Sequence, residues 1–259
     1  MNFYLEGQLF SLQSSDISRT PIAFSLPAGT PLPAVQPGDE VHWDGAHLTL
    51  GRWRYDAACA HRAVLCLQPF GKEAAGLLLQ QSHTVPALQR GFAGVVLEHC
   101  QPCNLWEAAA QRICCHVRSA AEDSRLFAQA ACRIIGLGGG LTPSGDDWLC
   151  GVLAGLYALR EFPGTGSYLQ ALQLELPKHL HNTNDISARF LEVAAAGYFP
   201  EAVCSLADAL NRAQFPALYR ALDTILSMGH SSGADLLSGI LFTLTHVCHS
   251  SWYEFGERI

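Results

Sequence analysis

Two short segments concentrate the residues able to do chemistry: Leu141-Thr-Pro-Ser-Gly-Asp-Asp-Trp-Leu149 and Met228-Gly-His-Ser-Ser-Gly-Ala-Asp-Leu-Leu237. Aligning Ser144–Leu156 with Ser232–Leu244 gives seven identities in thirteen positions. Ser144, Gly145 and Asp147 match Ser232, Gly233 and Asp235, and Leu149, Gly151, Leu153 and Leu156 match Leu237, Gly239, Leu241 and Leu244. Identities held in one pattern indicate an internal duplication of a loop-plus-helix unit. The first N–H groups of a helix have no partner within it. Together with the positive end of the helix dipole, they favour a phosphate or a carboxylate. Each unit therefore reads as half of a small-anion site.

The candidate ligand-binding residues follow from that chemistry. Ser144 and Ser232 are placed to cap the two helices, and Gly145 and Gly233 follow them at the helix starts. The loop from Gly136 to Pro143 adds Gly138, Gly139 and Gly140, which let backbone approach a ligand closely. Thr142 adds a hydroxyl, and Pro143 stiffens the turn. Asp147 and Asp235 are the candidate catalytic carboxylates. An Asp in a helix's first turn is favourable on dipole grounds alone, so it is the repetition of the pattern that points to a site. Asp146 faces Ala234 in the alignment and has no counterpart; it offers a metal ligand, a general base or a plain N-terminal charge. His230 could donate to an anion or shuttle a proton. Asp147, Gly151 and Gly155 share one helix edge, as do Asp235, Gly239 and Thr243. Small residues there would let the two helices cross, bringing both loops to one cleft.

Other site chemistries fail on inspection. No Gly-Lys-Ser/Thr follows the glycine loop, which excludes a P-loop. Leu141 stands where a dinucleotide fingerprint requires its third glycine. Ser144 lacks the flanking glycines of a nucleophile elbow. Cys100-Gln-Pro-Cys103 has C-x-x-C spacing, but no second pair at zinc-finger distance accompanies it.

The elements that must position these residues fall into two regions, an α+β arrangement. Residues 1–103 read as a small β-rich N-terminal domain. Pro and Gly cluster between Pro21 and Gly38, and a hairpin is expected around Asp44-Gly45 within Glu40–Leu50. Val64–Leu67 and Gly94–Leu97 read as further strands. Residues 104–259 read as a larger α-helical domain containing the duplicated unit. Asn104 caps a helix from Trp106 to Arg118, with Glu107 in the capping-box position. Further helices are expected near Glu122–Ile135, Asp146–Leu159, Tyr168–His179, Ile186–Ala196, Glu201–Ala213, Pro216–Met228 and Ala234–Cys248.

Composition bounds the function. The chain has 259 residues, a net charge of −7, 49% hydrophobic residues and only 15% charged ones. Without a basic stripe, nucleic acid and anionic membrane are not expected partners. No apolar run reaches the roughly 18 residues of a membrane span, and the start shows no export signal, so a cytoplasmic location is expected. Ten cysteines in such a setting are expected to be reduced. Cys132, Cys150, Cys204 and Cys248 sit in apolar helical patterns like small buried hydrophobes. So high an apolar content means either helices buried on several faces or a surface covered by a partner chain.

Three blocks together resemble a known family. They are Gly138–Gly151, Thr183-Asn-Asp-Ile-Ser187 running through Ala194 to Gly197, and Gly229–Gly239. The pattern is similar to the AllH (YlbF)-like family of bacterial proteins, long listed as a domain of unknown function; Gly139 departs from it, at a position often Pro. The resemblance covers roughly Gly136 to the C-terminus and adds Thr183 and Ser187 to the candidate ligand-binding residues. It implies a subunit of oxamate carbamoyltransferase, acting in anaerobic allantoin and purine catabolism with AllF-like and AllG-like subunits. That enzyme interconverts oxalurate plus phosphate with oxamate plus carbamoyl phosphate, all small anions. No Arg lies in the motif loops, so the positive charge such chemistry needs would come from a partner or from Mg2+; no cofactor is otherwise indicated. The alternatives are a non-catalytic anion-binding assembly or regulatory subunit, and an independent enzyme on another small carboxylate or phosphate ester.

Overall fold

The structure, a computed structural model, describes residues 1–89 and 91–247. It is α+β: two small sheets precede a larger helical region. Strands β1 (Asn2–Leu5), β2 (Gln8–Ser14) and β3 (Ala23–Leu26) form one sheet, with β1 antiparallel and β3 parallel to β2. Strands β4 (Val41–Trp43), β5 (His47–Leu50) and β6 (Trp53–Asp56) form a second, antiparallel sheet. Phe3, Leu12, Leu26, Leu48 and Leu50 bury between them in a core of their own. The expected hairpin is present with its corner one residue later. Gly45 takes φ 91°, and the Asp44 carboxylate accepts from the Ala46 and His47 amides. Those two bonds hold that carboxyl low, at about 2.

Ten helices follow among the described residues: α1 (Lys72–Ser82), α2 (Gly91–Val96), α3 (Leu105–Ser119), α4 (Ser124–Cys132), α5 (Ser144–Ala158), α6 (Thr165–Glu175), α7 (Asp185–Ala195), α8 (Glu201–Asn211), α9 (Phe215–Leu226) and α10 (Ser232–His246). Two expected strands are corrected. Gly94–Leu97 belongs to α2 and its end, and Val64–Leu67 contributes only a bridge between Cys66 and Tyr198. A short apolar run buried on all sides has no period to read, so strand and helix look alike; Val95 and Val96 are fully buried. Leu67, Phe70, Ala75, Leu78 and Val96 all pack in the helical core. The Asn104 cap forms as expected, accepting from the Glu107 amide. Glu107 returns its bond to the Cys103 amide rather than to that of Asn104. The expected Ala234–Cys248 helix is seen to His246; Cys248 lies outside the described residues.

The centre of the helical region is the pair α5 and α10. Nearly every residue of both is buried. They cross through backbone contact. A Cβ on Gly151 would stand 2.0 Å from the Leu236 carbonyl, and one on Gly239 would stand 2.0 Å from that of Trp148. Further along, Gly155 lies under Thr243. The crossing point is thus the same glycine of each repeat. Trp148 packs edge-on against Phe242 with ring centroids 5.1 Å apart. Helices α7, which flanks α5, and α8 tie the first sheet to this centre: Tyr4 donates to Asp185 and Arg189 donates to Gln8 (2.9 Å) at α7, and Arg19 pairs with Glu201 at the start of α8.

Candidate functional site

Crossing at Gly151 and Gly239 sets the starts of α5 and α10 side by side. Thr142 Oγ1 donates to Asp147 Oδ2 at 3.0 Å and lies 3.0 Å from Ser232 Oγ. One hydroxyl therefore joins the first unit's carboxylate to the second unit's serine. The relation is reciprocal: the Ser144 and Ser231 hydroxyls lie near the Asp235 carboxylate and favour its charged form. At ordinary hydrogen-bond distance, however, Asp235 Oδ2 has no partner among the described residues.

Both carboxyls are held well above the ordinary range. Burial pushes Asp147 up to about 7, against the bonds from Ser232 and Thr142 and aided by the Asp235 charge. Burial likewise pushes Asp235 up to about 6. Their surroundings differ: Asp235 is 1% exposed, whereas Asp147 keeps some access to solvent. At neutral pH, Asp147 is thus present in both protonation states beside a second, deeper acid. Such a pair suits proton transfer.

Asp146 points to a different place. It is 2% exposed; Oδ1 accepts from the Gly136 amide at 2.7 Å and Oδ2 accepts from Thr183. Burial raises its pKa, while Thr183, Gly136 and the nearby Ser187 hydroxyl oppose the rise. With both oxygens bonded, it fastens the glycine loop to the turn before α7. The structure thus brings Thr142, Ser144, Asp147, Ser232 and Asp235 to one cluster. Asp146, Thr183 and Ser187 form a neighbouring one, and His230 is exposed on the loop before α10.

The helix starts offer fewer free donors than dipole reasoning suggests. Ser144 and Ser232 are first helical residues; neither helix has a side-chain cap, and Pro143 and Ser231 stand at the cap positions. Gly145 N donates to the Leu137 carbonyl (2.8 Å), and Asp146 N and Asp147 N donate to that of Pro143. In the second unit Gly233 N donates to the Met228 carbonyl. Gly145 and Gly233 do the same packing work. A Cβ on Gly145 would meet the Ile134 carbonyl at 2.2 Å, and one on Gly233 would meet that of Ile225 at 1.7 Å. Each glycine lets its helix begin against the end of the helix before it. Gly138, at φ 121°, folds over the Ser144 amide; Gly139 and Gly140 are exposed.

One residue of the site lacked a site signal in sequence. Asn184 Oδ1 accepts from the Ile186 and Ser187 amides, capping α7, while its Nδ2 donates to the Leu141 carbonyl at 2.8 Å. Its cap role was legible as Asn before an apolar helix; its reach to the glycine loop was not.

Among the described residues, no three His, Cys, Asp or Glu side chains converge as a metal group. A magnesium ion at the Asp147–Asp235 pair would have to complete its shell with hydroxyls, water and ligand oxygens. Every cysteine among the described residues is free, and burial pushes the Cys114 and Cys132 thiols up to about 12. No described helix is long and apolar enough to cross a membrane.

Fold and site together define an α+β protein whose helical region brings a duplicated loop–helix unit onto a pair of buried carboxyls. Residues 134–244, which hold both units and the turn before α7, match the family described as oxamate carbamoyltransferase subunit AllH, and this region of the chain is AllH-like. That family is one of subunits in a multi-subunit carbamoyltransferase. No solved structure matches the chain.

Proposed function

We propose that this chain serves as a subunit of an oxamate carbamoyltransferase, and that its two loops form the small-anion part of the reaction site. The observation that carries this is the Thr142 hydroxyl standing between Asp147 of one unit and Ser232 of the other. It makes two separate loops one site. In the reaction, a phosphate oxygen attacks the ureido carbonyl of oxalurate and the bond to the oxamate nitrogen breaks. The nitrogen takes up a proton, the phosphate gives one up, and carbamoyl phosphate and oxamate result. Asp147, raised to about 7, can hold or release that proton at neutral pH. The amides of the glycine loop and of Ser144 and Ser232 bind the anion's oxygens, while the Thr142 hydroxyl, whose proton goes to Asp147, orients that carboxyl. The role in allantoin and purine catabolism, the AllF-like and AllG-like co-subunits and any Mg2+ requirement belong to this proposal.

One observation favours a second reading, a regulatory or assembly subunit that binds an anion without doing chemistry. No Lys or Arg lies within Gly136–Asp147 or Met228–Asp235, and several helix-start amides are already bonded within the chain. Phosphate-dependent oxalurate cleavage, measured for the chain alone, the co-subunits alone and all together, separates the two. Turnover that requires this chain, and that falls about a hundredfold when Asp147→Asn is made in a complex that still assembles, supports the proposal. Full turnover by the co-subunits without it leaves only the regulatory reading.

A further inference from the structure

The turn before α7 grips the glycine loop at both ends. At the loop's start, the Asn182 carbonyl presses so closely on Gly136 that a Cβ there would stand 2.1 Å away. Thr183 holds Asp146, which in turn holds the Gly136 amide. At the loop's far end, Asn184 Nδ2 holds the Leu141 carbonyl. The glycines between, Gly138 to Gly140, include two at positive φ, and Gly139 and Gly140 are exposed. A glycine-rich segment of that kind has many conformations to lose on binding. The Asn184 amide cannot turn over without losing both functions, because Oδ1 is already committed to the Ile186 and Ser187 amides.

We infer that Asn184 is a positioning residue: it touches no ligand itself but holds the glycine loop in the shape that receives the anion. This rests on the proposed function, since it assigns the loop to the anion, and it adds a residue outside the two repeats. The chemistry separates its two jobs. Asn184→Asp keeps an oxygen to cap α7, where a carboxylate is as good a cap as asparagine. It loses the donor to Leu141 and sets a negative oxygen against that carbonyl instead. Asn184→Ser also caps α7, but is neutral and too short to reach Leu141.

Hydrogen exchange of the full-length chain and turnover of the assembled enzyme test this together. In both variants, the amides of Gly136 and Gly145, bonded to Asp146 and to the Leu137 carbonyl at the two ends of the loop, should exchange at least about tenfold faster, the scale of one lost hydrogen bond. Those of α7 should stay as protected as in the parent. KM for inorganic phosphate or oxalurate should rise about tenfold, with a much smaller change in kcat, and Asn184→Ser should show it without any added charge. Unchanged loop exchange in both variants overturns the inference. So does faster exchange with parental KM for both substrates, which would also remove the glycine loop from the site while leaving the carbamoyl-transfer reaction itself standing.

Discussion

Replacing Asp235 by asparagine separates a carboxylate kept for function from one kept for the fold. The group is 1% exposed, and burial raises it from 3.8 to about 6. In the unfolded chain the carboxyl ionises near 3.8, so the folded state holds the extra proton between that value and about 6. Stability from this group is therefore greatest below 3.8 and falls as the pH rises through about 6. Each tenfold change in proton affinity is worth about 1.4 kcal/mol, so ionised Asp235 costs the fold about 3 kcal/mol at pH 8. Asparagine has the same shape without the charge. Asp235→Asn should be more stable than the parent by about 3 kcal/mol at pH 8 and by about half that at pH 5. Turnover of the assembled enzyme should nevertheless fall about a hundredfold, as when one preorganised electrostatic group is lost. Urea unfolding at the two pH values and turnover on the same preparation measure both. A variant less stable by about 0.3–1 kcal/mol, with turnover intact, would show that Asp235 only complements the dipole of α10 and would refute the reasoning.

Three further outcomes follow from the geometry. Gly239→Ala should destabilise the fold by about 3 kcal/mol or more, because its Cβ would lie 2.0 Å from the Trp148 carbonyl; a parental urea midpoint would contradict the backbone-to-backbone crossing. Thr183→Val leaves a buried Asp146 oxygen without its partner, at a cost of about 1–3 kcal/mol in unfolding experiments; no loss would show that Asp146 is not the latch of the glycine loop. Thiol titration after denaturation without reductant should return all ten cysteines of the sequence, while in the native protein Cys114, Cys132 and Cys150 react slowly because they are buried; a shortfall would reveal a bond or a bound metal.

The parts of the fold legible in the sequence were those with a period or a repeat. The small-residue edge at Gly151, Gly155 and Gly239 foretold the crossing of α5 and α10, since only backbone contact demands glycine at those spacings. The Asn104 cap and most later helices were readable for similar local reasons. Helix α2 was not, because Gly94–Val96 is buried on every side and carries no alternation of polar and apolar residues. Gly145 and Gly233 stood out as paired, yet a glycine that admits a ligand and one that admits a neighbouring carbonyl look the same in one dimension. Only the fold shows Gly145 against Ile134 and Gly233 against Ile225. Asp146 and Asp147, adjacent in sequence, part company for the same reason: about 100° of helical rotation sends one to the turn before α7 and the other to the second loop.

The central claim is that Asp147 and Asp235 act together at one site shared by both repeats. The double variant Asp147→Asn, Asp235→Asn tests it most directly, assembled with its co-subunits and assayed for phosphate-dependent oxalurate cleavage. The expected result is a folded protein that assembles normally and has lost at least about a hundredfold in turnover. Assembly with parental turnover would contradict it.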